Sequence, residues 1–580
     1  MKKMTRRTFL KGAAIAGVSL TLGGLFHKPI RRIVDVLAAL TPRAPQPLPA
    51  GEHAQVMSAA HSDDLDGMSV LYLAGTHYEM GYQHGTLMRE KIHAFRQAAY
   101  AYMTSLLQKE SKWPDWLARL VTQPLLCWQA AAYWDIISPE YLEEAQGIAD
   151  GAGVHPLEVV LVTAIWEMYV AGGCSEFALT GKMTADGSLI HGFNYDLMAS
   201  EHAFINPYLA MIFYRPAGGI PFSTLNTVGS IGVNAGMSDA GLSVAWDNTY
   251  TRDNSLYAGI AKPVVPFIIT LRRVLECCRS LDEGVQLVVA SLPRPLADII
   301  ILASANENRA VALETAGRLH ATRPMENDAV WSTNRFRSAE LAPHDQRGDW
   351  RRMSAQEYAR VFPRYLSYER FFQHHRGQIT SRLALDILRD PYPREAQGEL
   401  YSVGLRTTIC REGTSFSLVM QPGQGLVWGS DGKLPAPQGR FFAFDQRNWQ
   451  RRPDLDFPST GFRAALACAK AYGHADIDGA WTSLQEALVA DGETAPLMMM
   501  RATLSYARGD TLGAQADIER VIERWGETDI GQVARAWASG LPAPVPFIPF
   551  PSAIARSLIF HAASADSAYH PAPGQVISLR

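Results

Sequence analysis

Hydrophobic residues recur at helical spacing over residues 86–170, for example at Leu87, Ile92 and Phe95. Beyond this segment the period shortens to that of β-strands, and from about Gly461 it becomes helical again. The pattern alone therefore divides the chain into a helical segment, a strand-rich segment and a second helical segment.

The strand-rich segment opens with a predicted β-hairpin, in which residues 174–180 and 188–195 flank a turn at Asp186-Gly187. The further predicted strands are residues 208–214, 222–228, 242–248, 299–304, 310–315, 329–333, 406–411, 414–421 and 425–429. A helical block over residues 264–292 separates them into two runs. Strands that meet at hairpin turns favour an α+β fold, with two stacked sheets and helices outside, over a doubly wound α/β fold.

The second helical segment repeats itself at a constant spacing. The pairs Cys468 and Ala502, Ala480 and Ala514, and Leu484 and Ile518 are each 34 residues apart. Small residues at such positions are typical of helices that cross closely, and a period of ~34 residues resembles tetratricopeptide repeats. We therefore predict an all-α repeat module over residues 461–540, followed by a tail over 541–580, and the repeats leave open binding of a protein partner.

The amino terminus has the pattern of an export signal. Arg6 and Arg7 precede a charge-free stretch, residues 13–26, and this combination resembles a bacterial twin-arginine signal. The stretch is too short and too rich in Gly and Ala to predict a membrane span. We expect residues 1–40 to be the signal, residues 41–65 to be a Pro-rich linker, and the protein to be periplasmic or exported. A retained amino-terminal membrane tether is the alternative.

Composition excludes several classes of protein. The chain has 580 residues, of which 47% are hydrophobic and 19% charged, so it can bury a large core and is not predominantly disordered. Lys and Arg total 54 against 57 Asp and Glu, a formal charge of -3, so no nucleic-acid partner is expected. The six cysteines form neither a Cys-x-x-Cys pair nor a zinc-type spacing, so neither a disulfide framework nor a structural metal is expected. The sequence has no Walker A and no G-x-G-x-x-G motif, and no cofactor is expected.

One cysteine, Cys174, directly follows Gly172-Gly173 at the start of a predicted strand. Glycines allow the backbone there to bend and to be approached closely. A thiol in this position can attack the preceding carbonyl, and hydrolysis of the thioester that results from this N→S shift frees an α-amino group. That amine, with a pKa near ~7.7–8.0, can serve as the general base for the thiol. The bond between Gly173 and Cys174 is therefore the expected autocleavage site.

Motifs along the chain support this interpretation of Cys174. They read Gly75-Thr-His-Tyr-Glu79-Met-Gly81-Tyr-Gln-His-Gly85, Gln146-Gly-Ile-Ala-Asp-Gly-Ala-Gly153, Cys174-Ser-Glu-Phe-Ala, His191-Gly-Phe-Asn194-Tyr-Asp196, Gly236-Met-Ser-Asp-Ala-Gly241 and Ser332-Thr-Asn334-Arg335-Phe336. Together they resemble the peptidase C45 family of amino-terminal-nucleophile hydrolases, typified by isopenicillin N acyltransferase. The resemblance implies a four-layer αββα sandwich over residues 66–450, which autocleavage divides into segments 66–173 and 174–450.

The resemblance also implies a role for each matching residue. Cys174 is the nucleophile, Asp196 balances the charge of the new amino terminus, and Asn334 donates a hydrogen bond to the oxyanion. Such a donor lowers the barrier by ~3–4 kcal/mol because it is aimed in advance at the developing charge. Candidates for support of the site or substrate are Asn194, Arg335, Arg406 and Ser238, of which Ser238 and Arg335 depart from the residues common in the family.

These features predict an exported hydrolase or acyltransferase of C–N amide bonds that acts through an acyl-thioester, with a small-molecule acyl amide as its substrate. The first alternative is an envelope scaffold, with an inactive hydrolase domain and a partner-binding repeat module. The second is an ester or phospholipid hydrolase on the same fold. Cleavage at Cys174 separates the prediction from the first alternative, and a comparison of acyl amides with acyl esters separates it from the second.

Overall fold

The computed structural model describes residues 27–168, 173–197, 199–260, 263–390, 408–411, 413–527 and 529–539. Two β-sheets lie at its centre. Sheet A contains, in spatial order, β1 (His61–Leu65), β2 (Met68–Gly75), β5 (Leu209–Pro216), β6 (Phe222–Thr227), β7 (Ala235–Ser238), β8 (Leu242–Thr249), β9 (Ala297–Ser304), β10 (Arg309–Ala316) and β11 (Leu319–Pro324). Sheet B contains β12 (Ala329–Ser332), β3 (Ser175–Leu179), β4 (Ile190–Asp196), β13 (Thr414–Gln421), β14 (Leu426–Ser430), β15 (Phe441–Asp445) and β16 (Gln450–Arg451). Neighbouring strands are antiparallel except β2 and β5, which are parallel.

Helices cover the outer face of each sheet. Those before β3 are α1 (His27–Ala39), α2 (Ala50–Met57), α3 (His77–Leu87), α4 (Arg89–Ser111), α5 (Asp115–Trp134), α6 (Pro139–Ala152) and α7 (Pro156–Met168). Those within the strand-rich part are α8 (Ala199–Ile205), α9 (Phe267–Cys277), α10 (Leu281–Ala290), α11 (Ala355–Val361), α12 (Pro363–His374) and α13 (Ser381–Leu388). Helices α3, α9 and α10 contact sheet A, whereas α12 and α13 contact sheet B.

Side chains that alternate along β3 show the order of the layers. Ala178 faces sheet A and packs with Ile299 and Ile301 of β9 in a core between the two sheets. Its neighbour Phe177 points the opposite way and packs against Phe372 of α12. The order of layers is therefore helix, sheet, sheet, helix, which confirms the predicted α+β fold and its αββα sandwich.

Two helices of the amino-terminal part cross in backbone contact. Gly81 and Gly85 lie one turn apart on α3, and Gly147 and Gly151 lie one turn apart on α6. A Cβ atom on either Gly81 or Gly147 would lie 2.2 Å from a backbone oxygen of the opposite helix. Glu79 caps α3, because its side chain accepts a hydrogen bond of 2.7 Å from the backbone N–H of the N-cap residue. These two sequence motifs therefore build a helix crossing.

We expect Gly147→Ala to lower the free energy of unfolding by about 3 kcal/mol, because the added methyl group forces two backbones apart. Gly51→Ala is the matched control, since a Cβ atom on Gly51 of α2 meets nothing within 4 Å. That change should leave stability equal or slightly higher, by up to about 1 kcal/mol. Urea denaturation measures both, and equal midpoints for the two variants would contradict the close crossing.

The structure differs from the sequence prediction ahead of α3. The segment predicted as a linker, residues 41–65, contains α2 and the edge strand β1. Strand β2 was not predicted, because its buried run over residues 70–73 does not alternate and its partner β5 is remote in sequence. Helix α1, inside the predicted signal region, lies against α5, and its Arg32 forms an ion pair of 2.7 Å with Asp135, the residue that follows α5. Arg6, Arg7 and the tail 541–580 lie outside the described residues.

A helical module follows the sandwich. It consists of α14 (Phe462–Gly473), α15 (Ile477–Asp491), α16 (Ala495–Ala507), α17 (Thr511–Trp525) and α18 (Asp529–Ala538). Asp476 and Asp510 cap α15 and α17 in the same way, each accepting a hydrogen bond of 2.9 Å from a glycine N–H three residues later. The predicted spacing of 34 residues thus corresponds to two helical hairpins in succession, while the tetratricopeptide identity stays a prediction. Arg463 joins the module to the sandwich through two hydrogen bonds to Asp431, of 2.6 and 2.7 Å.

The described ranges contain neither a single membrane-spanning helix nor a metal-binding cluster of side chains. No single helix there is long and apolar enough to cross a membrane, although a pair bent by 116°, Pro139–Ala152 with Pro156–Ile165, passes on length and composition. Over the same ranges, no group of three or more His, Cys, Asp or Glu side chains is arranged to hold a metal ion.

Candidate active site

Cys174 lies immediately before β3, on the face of sheet B that is directed towards sheet A. Side chains alternate along the strand, so Cys174, Glu176 and Ala178 face the space between the sheets. Ser175 points the other way, and its hydroxyl lies 3.0 Å from that of Tyr368 on the helical side. Cys174 is only 5% exposed. The strand thus holds an enclosed thiol at its amino-terminal end.

Asp196 ends β4, the strand beside β3, and its carboxylate is buried. One oxygen accepts a hydrogen bond of 2.6 Å from the Thr414 hydroxyl. The other accepts from two guanidinium groups, those of Arg411 at 2.9 Å and Arg364 at 3.4 Å. Because a buried carboxylate needs donors in place of water, this arrangement holds Asp196 in one position.

Arg364, near the start of α12, connects the parts of the site. One nitrogen donates to the backbone oxygen of Cys174 at 3.0 Å. The other donates to the side-chain oxygen of Asn334 at 2.6 Å and to the backbone oxygen of Thr333 at 3.2 Å. Burial and the neighbouring Arg411 lower the pKa of Arg364 to about 10, so the guanidinium is still charged at neutral pH. A single cation therefore fixes Cys174 relative to the side-chain amide of Asn334.

Asn334 follows β12 in a left-handed turn, with φ of 65°. Its backbone N–H donates to the Asp247 carboxylate at 3.1 Å, and its side-chain nitrogen donates to the backbone oxygen of Asn248 at 2.7 Å. An amide nitrogen carries two hydrogens, so one is left for a further acceptor. Asn tolerates the left-handed region better than most residues, which makes this turn accessible without glycine.

The peptide bond between Gly173 and Cys174 lies among these groups. The Gly173 N–H donates to the backbone oxygen of Asp196 at 3.2 Å, and its carbonyl oxygen accepts from Arg411 at 3.4 Å. A Cβ atom on Gly173 would lie 2.8 Å from the Arg411 guanidinium and 3.2 Å from the Asn334 side-chain oxygen. Glycine therefore lets two polar side chains reach the bond ahead of the thiol.

The surroundings of Cys174 favour the neutral thiol. Burial raises its pKa well above the ordinary value, and the carboxyls of Asp196, Asp247 and Glu176 raise it further, while a backbone hydrogen bond from Asp196 offsets part of the rise. Within the described part of the chain, no basic side chain is hydrogen-bonded to the thiol. Attack of this sulfur on an external substrate therefore needs a base, and a free amine on Cys174 would supply one.

Part of the chain matches a known family of acyl-transferring enzymes. Residues 183–397 match the model of the family described as acyl-coenzyme A:6-aminopenicillanic acid acyl-transferase. The matched range includes Asp196, Asn334 and Arg364, whereas Cys174 precedes it. The match supports an amide hydrolase or acyltransferase.

Two sequence relatives have limited coverage. Protein dcd1B of Dictyostelium discoideum is 26% identical over 271 residues, which are 44% of this chain and 51% of the relative. An uncharacterized protein of Archaeoglobus fulgidus is 25% identical over 253 residues, 39% of this chain and 40% of the relative. The chain thus spans about half, or less, of the length of the curated relatives it matches.

Solved structures with some similarity cover less than half of this chain. The Caenorhabditis elegans ortholog of N-acylethanolamine-hydrolyzing acid amidase is 18% identical, with 43% of this chain and 93% of that chain covered and a TM-score of 0.30. Penicillin V acylase from Agrobacterium tumefaciens is 10% identical, with 47% and 86% covered and a TM-score of 0.30. The fold assignment rests on the two stacked sheets and their helical layers.

The structure brings Cys174, Asp196 and Asn334 together, as expected for a shared site, and it positions the supporting candidates differently. Asn194 points to the helical side of sheet B, where its amide nitrogen donates to the backbone oxygens of Leu388 and Ile409. Its role is thus to hold the segments around it.

Among the other supporting candidates, Arg335 and Ser238 have no hydrogen bond to Cys174. Arg335 is paired with Asp345 at 3.2 Å, so its charge is already engaged. Ser238 is the last residue of β7 and lies near the start of β8. Asp247 lies near the other end of β8. Arg406 lies outside the described residues.

Sequence reasoning missed both arginines of the site. Arg364 is separated from Cys174 by 190 positions and Arg411 from Gly173 by 238. Arg364 lies in an aromatic-rich helix without a catalytic motif, and Arg411 lies five positions after the arginine chosen from sequence, Arg406. Its position close to the last strands is a signal that could have marked Arg411, but no local pattern marks Arg364.

Proposed function

We propose that this protein is an exported hydrolase or acyltransferase of amide C–N bonds, with Cys174 as its amino-terminal nucleophile. The observation that carries the proposal is the convergence of a buried thiol, a carboxylate held by two guanidinium groups and a side-chain amide around one glycine–cysteine bond. The family match over residues 183–397 supports the same reaction class.

The first step of the proposed chemistry is self-cleavage. The sulfur of Cys174 attacks the carbonyl carbon of Gly173 as the thiol proton passes to the departing amide nitrogen, which gives a thioester and a free α-amine. The Arg411 guanidinium, 3.4 Å from the Gly173 oxygen, stabilises the negative charge that develops there. Water then hydrolyses the thioester, which leaves a carboxylate on Gly173 and a thiol on Cys174.

The second step is turnover of an external amide. The freed α-amine takes the thiol proton while the sulfur attacks the acyl carbon, and the same proton leaves with the amine product. Asn334 donates its second amide hydrogen to the oxyanion. The acyl-thioester that results is attacked by water or by an acceptor amine, which regenerates the thiol. The Asp196 carboxylate supplies negative charge near the amine when the amine is protonated.

Export and partner binding are part of the same proposal. Arg6 and Arg7 ahead of the charge-free residues 13–26 support the twin-arginine pathway, which carries folded proteins. The helical module after residue 461 supports binding of a protein partner, because stacked helical hairpins present extended surfaces.

The substrate class can be tested with paired compounds. The purified full-length protein is incubated with N-acyl amino acids, acyl-homoserine lactones and lipid amides, each beside the ester of the same acyl group. We expect turnover of an amide and, after acid quenching, an acyl mass adduct on the peptide that carries Cys174. Turnover of esters alone would indicate the ester hydrolase, and the absence of any adduct on Cys174 would overturn the proposed intermediate.

A further inference from the structure

Two acidic side chains that the proposed chemistry does not use lie in the layer between the sheets. Glu176 is two positions after Cys174 on the same face of the strand, and Asp247 is on β8 of the opposite sheet; neither is exposed. Ser332 connects them. It is the cross-strand partner of Glu176, and its hydroxyl donates to one oxygen of Asp247 at 2.7 Å.

The two carboxyls leave three oxygens unsatisfied. Both side-chain oxygens of Glu176 and the Oδ1 of Asp247 are buried without a hydrogen-bond partner among the described residues. The backbone of Ile301 approaches Glu176 closely enough to lower its pKa, but the contact does not have the geometry of a hydrogen bond. Buried polar atoms without partners are rare because each costs the full loss of its hydration. A proton on Glu176 would turn one of these acceptors into a donor.

Asp247 is hydrogen-bonded to the candidate site residue Asn334. Its Oδ2 accepts from the backbone N–H of Asn334, and this bond holds the left-handed turn from which the Asn334 side chain is presented. A hydrogen bond to a carboxylate is roughly twice as strong as one to a neutral group. The charge of Asp247 therefore influences how firmly the amide is held.

Charged and titratable groups surround the pair on every side. From sheet A come Arg323 and Glu314, which form an ion pair of 2.8 Å, and Arg364 approaches from α12. Cys174 is the titratable neighbour on sheet B. Arg335 also lies close enough to act on Asp247, and Tyr368 on Glu176. The three arginines are each paired with a different carboxylate and, among the described residues, form no ion pair with Glu176 or Asp247.

Burial raises the pKa of Asp247 to about 7, against the lowering effect of its bonds from Ser332 and Asn334. Burial and the neighbouring Asp247 carboxylate raise the pKa of Glu176 well above its ordinary value. The Oδ2 of Asp247 accepts two hydrogen bonds, from Ser332 and Asn334, whereas the oxygens of Glu176 accept none from the described residues. The negative charge of the pair is therefore better stabilised on Asp247, and the proton on Glu176.

We propose that Glu176 and Asp247 are a positioning pair for the oxyanion donor, in which protonated Glu176 donates its hydrogen to Oδ1 of ionised Asp247. The charged Asp247 then holds the Asn334 turn. The role of the pair in catalysis rests on the proposed function, whereas its proton does not. Below the ionisation of Asp247 the pair holds two protons and the turn is held by a weaker bond; above it the pair holds one.

The test uses three variants of the full-length protein. Glu176→Gln keeps a donor, Glu176→Leu removes it, and Asp247→Asn removes the charge. We expect the acid limb of the kcat profile to move to higher pH by about one to two units in Glu176→Leu, because a hydrogen bond to a charged group is lost, and to stay in Glu176→Gln. Asp247→Asn should lose this limb and about five- to tenfold of kcat with little change in KM.

Asp517→Asn is the matched control, since Asp517 is a buried carboxylate of the helical module that is bound by Arg501. Its kcat profile should equal that of the unchanged protein. Identical acid limbs in all variants, or equal shifts in Glu176→Gln and Glu176→Leu, would overturn the pair as a positioning device.

A second readout does not depend on activity. Infrared difference spectra at pH 8 should show the C=O stretch of one protonated carboxylic acid in the unchanged protein that is missing from Glu176→Gln. Its presence supports the pair even if no amide is turned over, so the two proposals fail separately. If the band is absent, or is present in both proteins, the shared proton does not exist.

The pH dependence of the free energy of unfolding tests the raised pKa of Asp247. A carboxyl whose pKa is raised from 3.8 to about 7 binds its proton more tightly in the folded state. The stability that binding of this proton contributes is therefore fully present below the pKa of the carboxyl in the unfolded chain. It is lost as the pH rises through about 7, the pKa in the folded state. Asp247→Asn should remove this part of the pH dependence in urea denaturation, and an unchanged dependence would contradict the burial of an ionisable Asp247.

Discussion

Replacing Cys174 by alanine is expected to leave one uncut chain and to lower amide turnover by at least about 10⁴-fold, because the nucleophile of both proposed steps is lost. The unchanged protein should appear on a denaturing gel as two chains, and intact mass should identify a carboxyl terminus at Gly173 and an amino terminus at Cys174. The mass measurement needs no substrate and therefore tests the bond independently of the reaction.

A matched control separates this effect from the loss of any buried thiol. Cys468 is buried in α14, and burial raises its pKa to about 12. Cys468→Ala should cleave and react like the unchanged protein. An unchanged protein that stays a single chain would contradict the mechanism, since Cys174 would then have no free amine to act as its base.

The second large effect is expected from Arg364. Arg364→Met removes four hydrogen bonds, to Cys174, Asp196, Thr333 and Asn334, and should lower kcat by about 10²–10³-fold. The loss arises because the nucleophile and the amide are no longer held relative to each other. Arg364→Lys keeps the charge but not the planar set of donors, so its kcat should lie between those of the unchanged protein and Arg364→Met.

Arg451→Lys is the control for the arginine series. Arg451 binds both oxygens of Asp456 at 2.9 Å at the β15–β16 edge, away from Cys174. Its replacement should leave kcat unchanged. Steady-state rates and the fraction of cleaved chain are measured for all three variants. Equal kcat values for Arg364→Met and Arg451→Lys would show that Arg364 does not position the reacting groups.

Local pattern predicted much of the strand-rich fold. The hairpin of β3 and β4, the block that contains α9 and α10, and most later strands occur close to their predicted bounds, because turn residues and alternation act over a few positions. The same local logic missed β1, β2, β7, β11, β15 and β16, and the described residues 408–411 of the strand predicted over 406–411 do not form a strand. Strand β2 has no alternation, and β7 has only four residues, too few to establish a period.

The glycines of the crossing between α3 and α6 are visible in the sequence, but the reason for them lies in the tertiary structure. The sequence marks Gly81, Gly85, Gly147 and Gly151 as parts of motifs, yet nothing local says that the two segments touch. In the structure each pair lies against the backbone of the other helix. The requirement for glycine is thus a property of the contact between helices.

For the site, the sequence by itself determined which cysteine is proposed as the nucleophile and which two residues are proposed to act with it. A cysteine after two glycines at a strand start, an Asp at the end of the next strand and an Asn after a third are visible because each lies in a short motif. Only the tertiary structure decided what surrounds them. Arg364 and Arg411 come from segments remote in sequence, and the carboxyl of Asp247 faces Glu176's sheet across the sandwich. Hydrogen bonds, burial and shifted pKa values depend on such distances in space, and a local pattern of residues does not contain them.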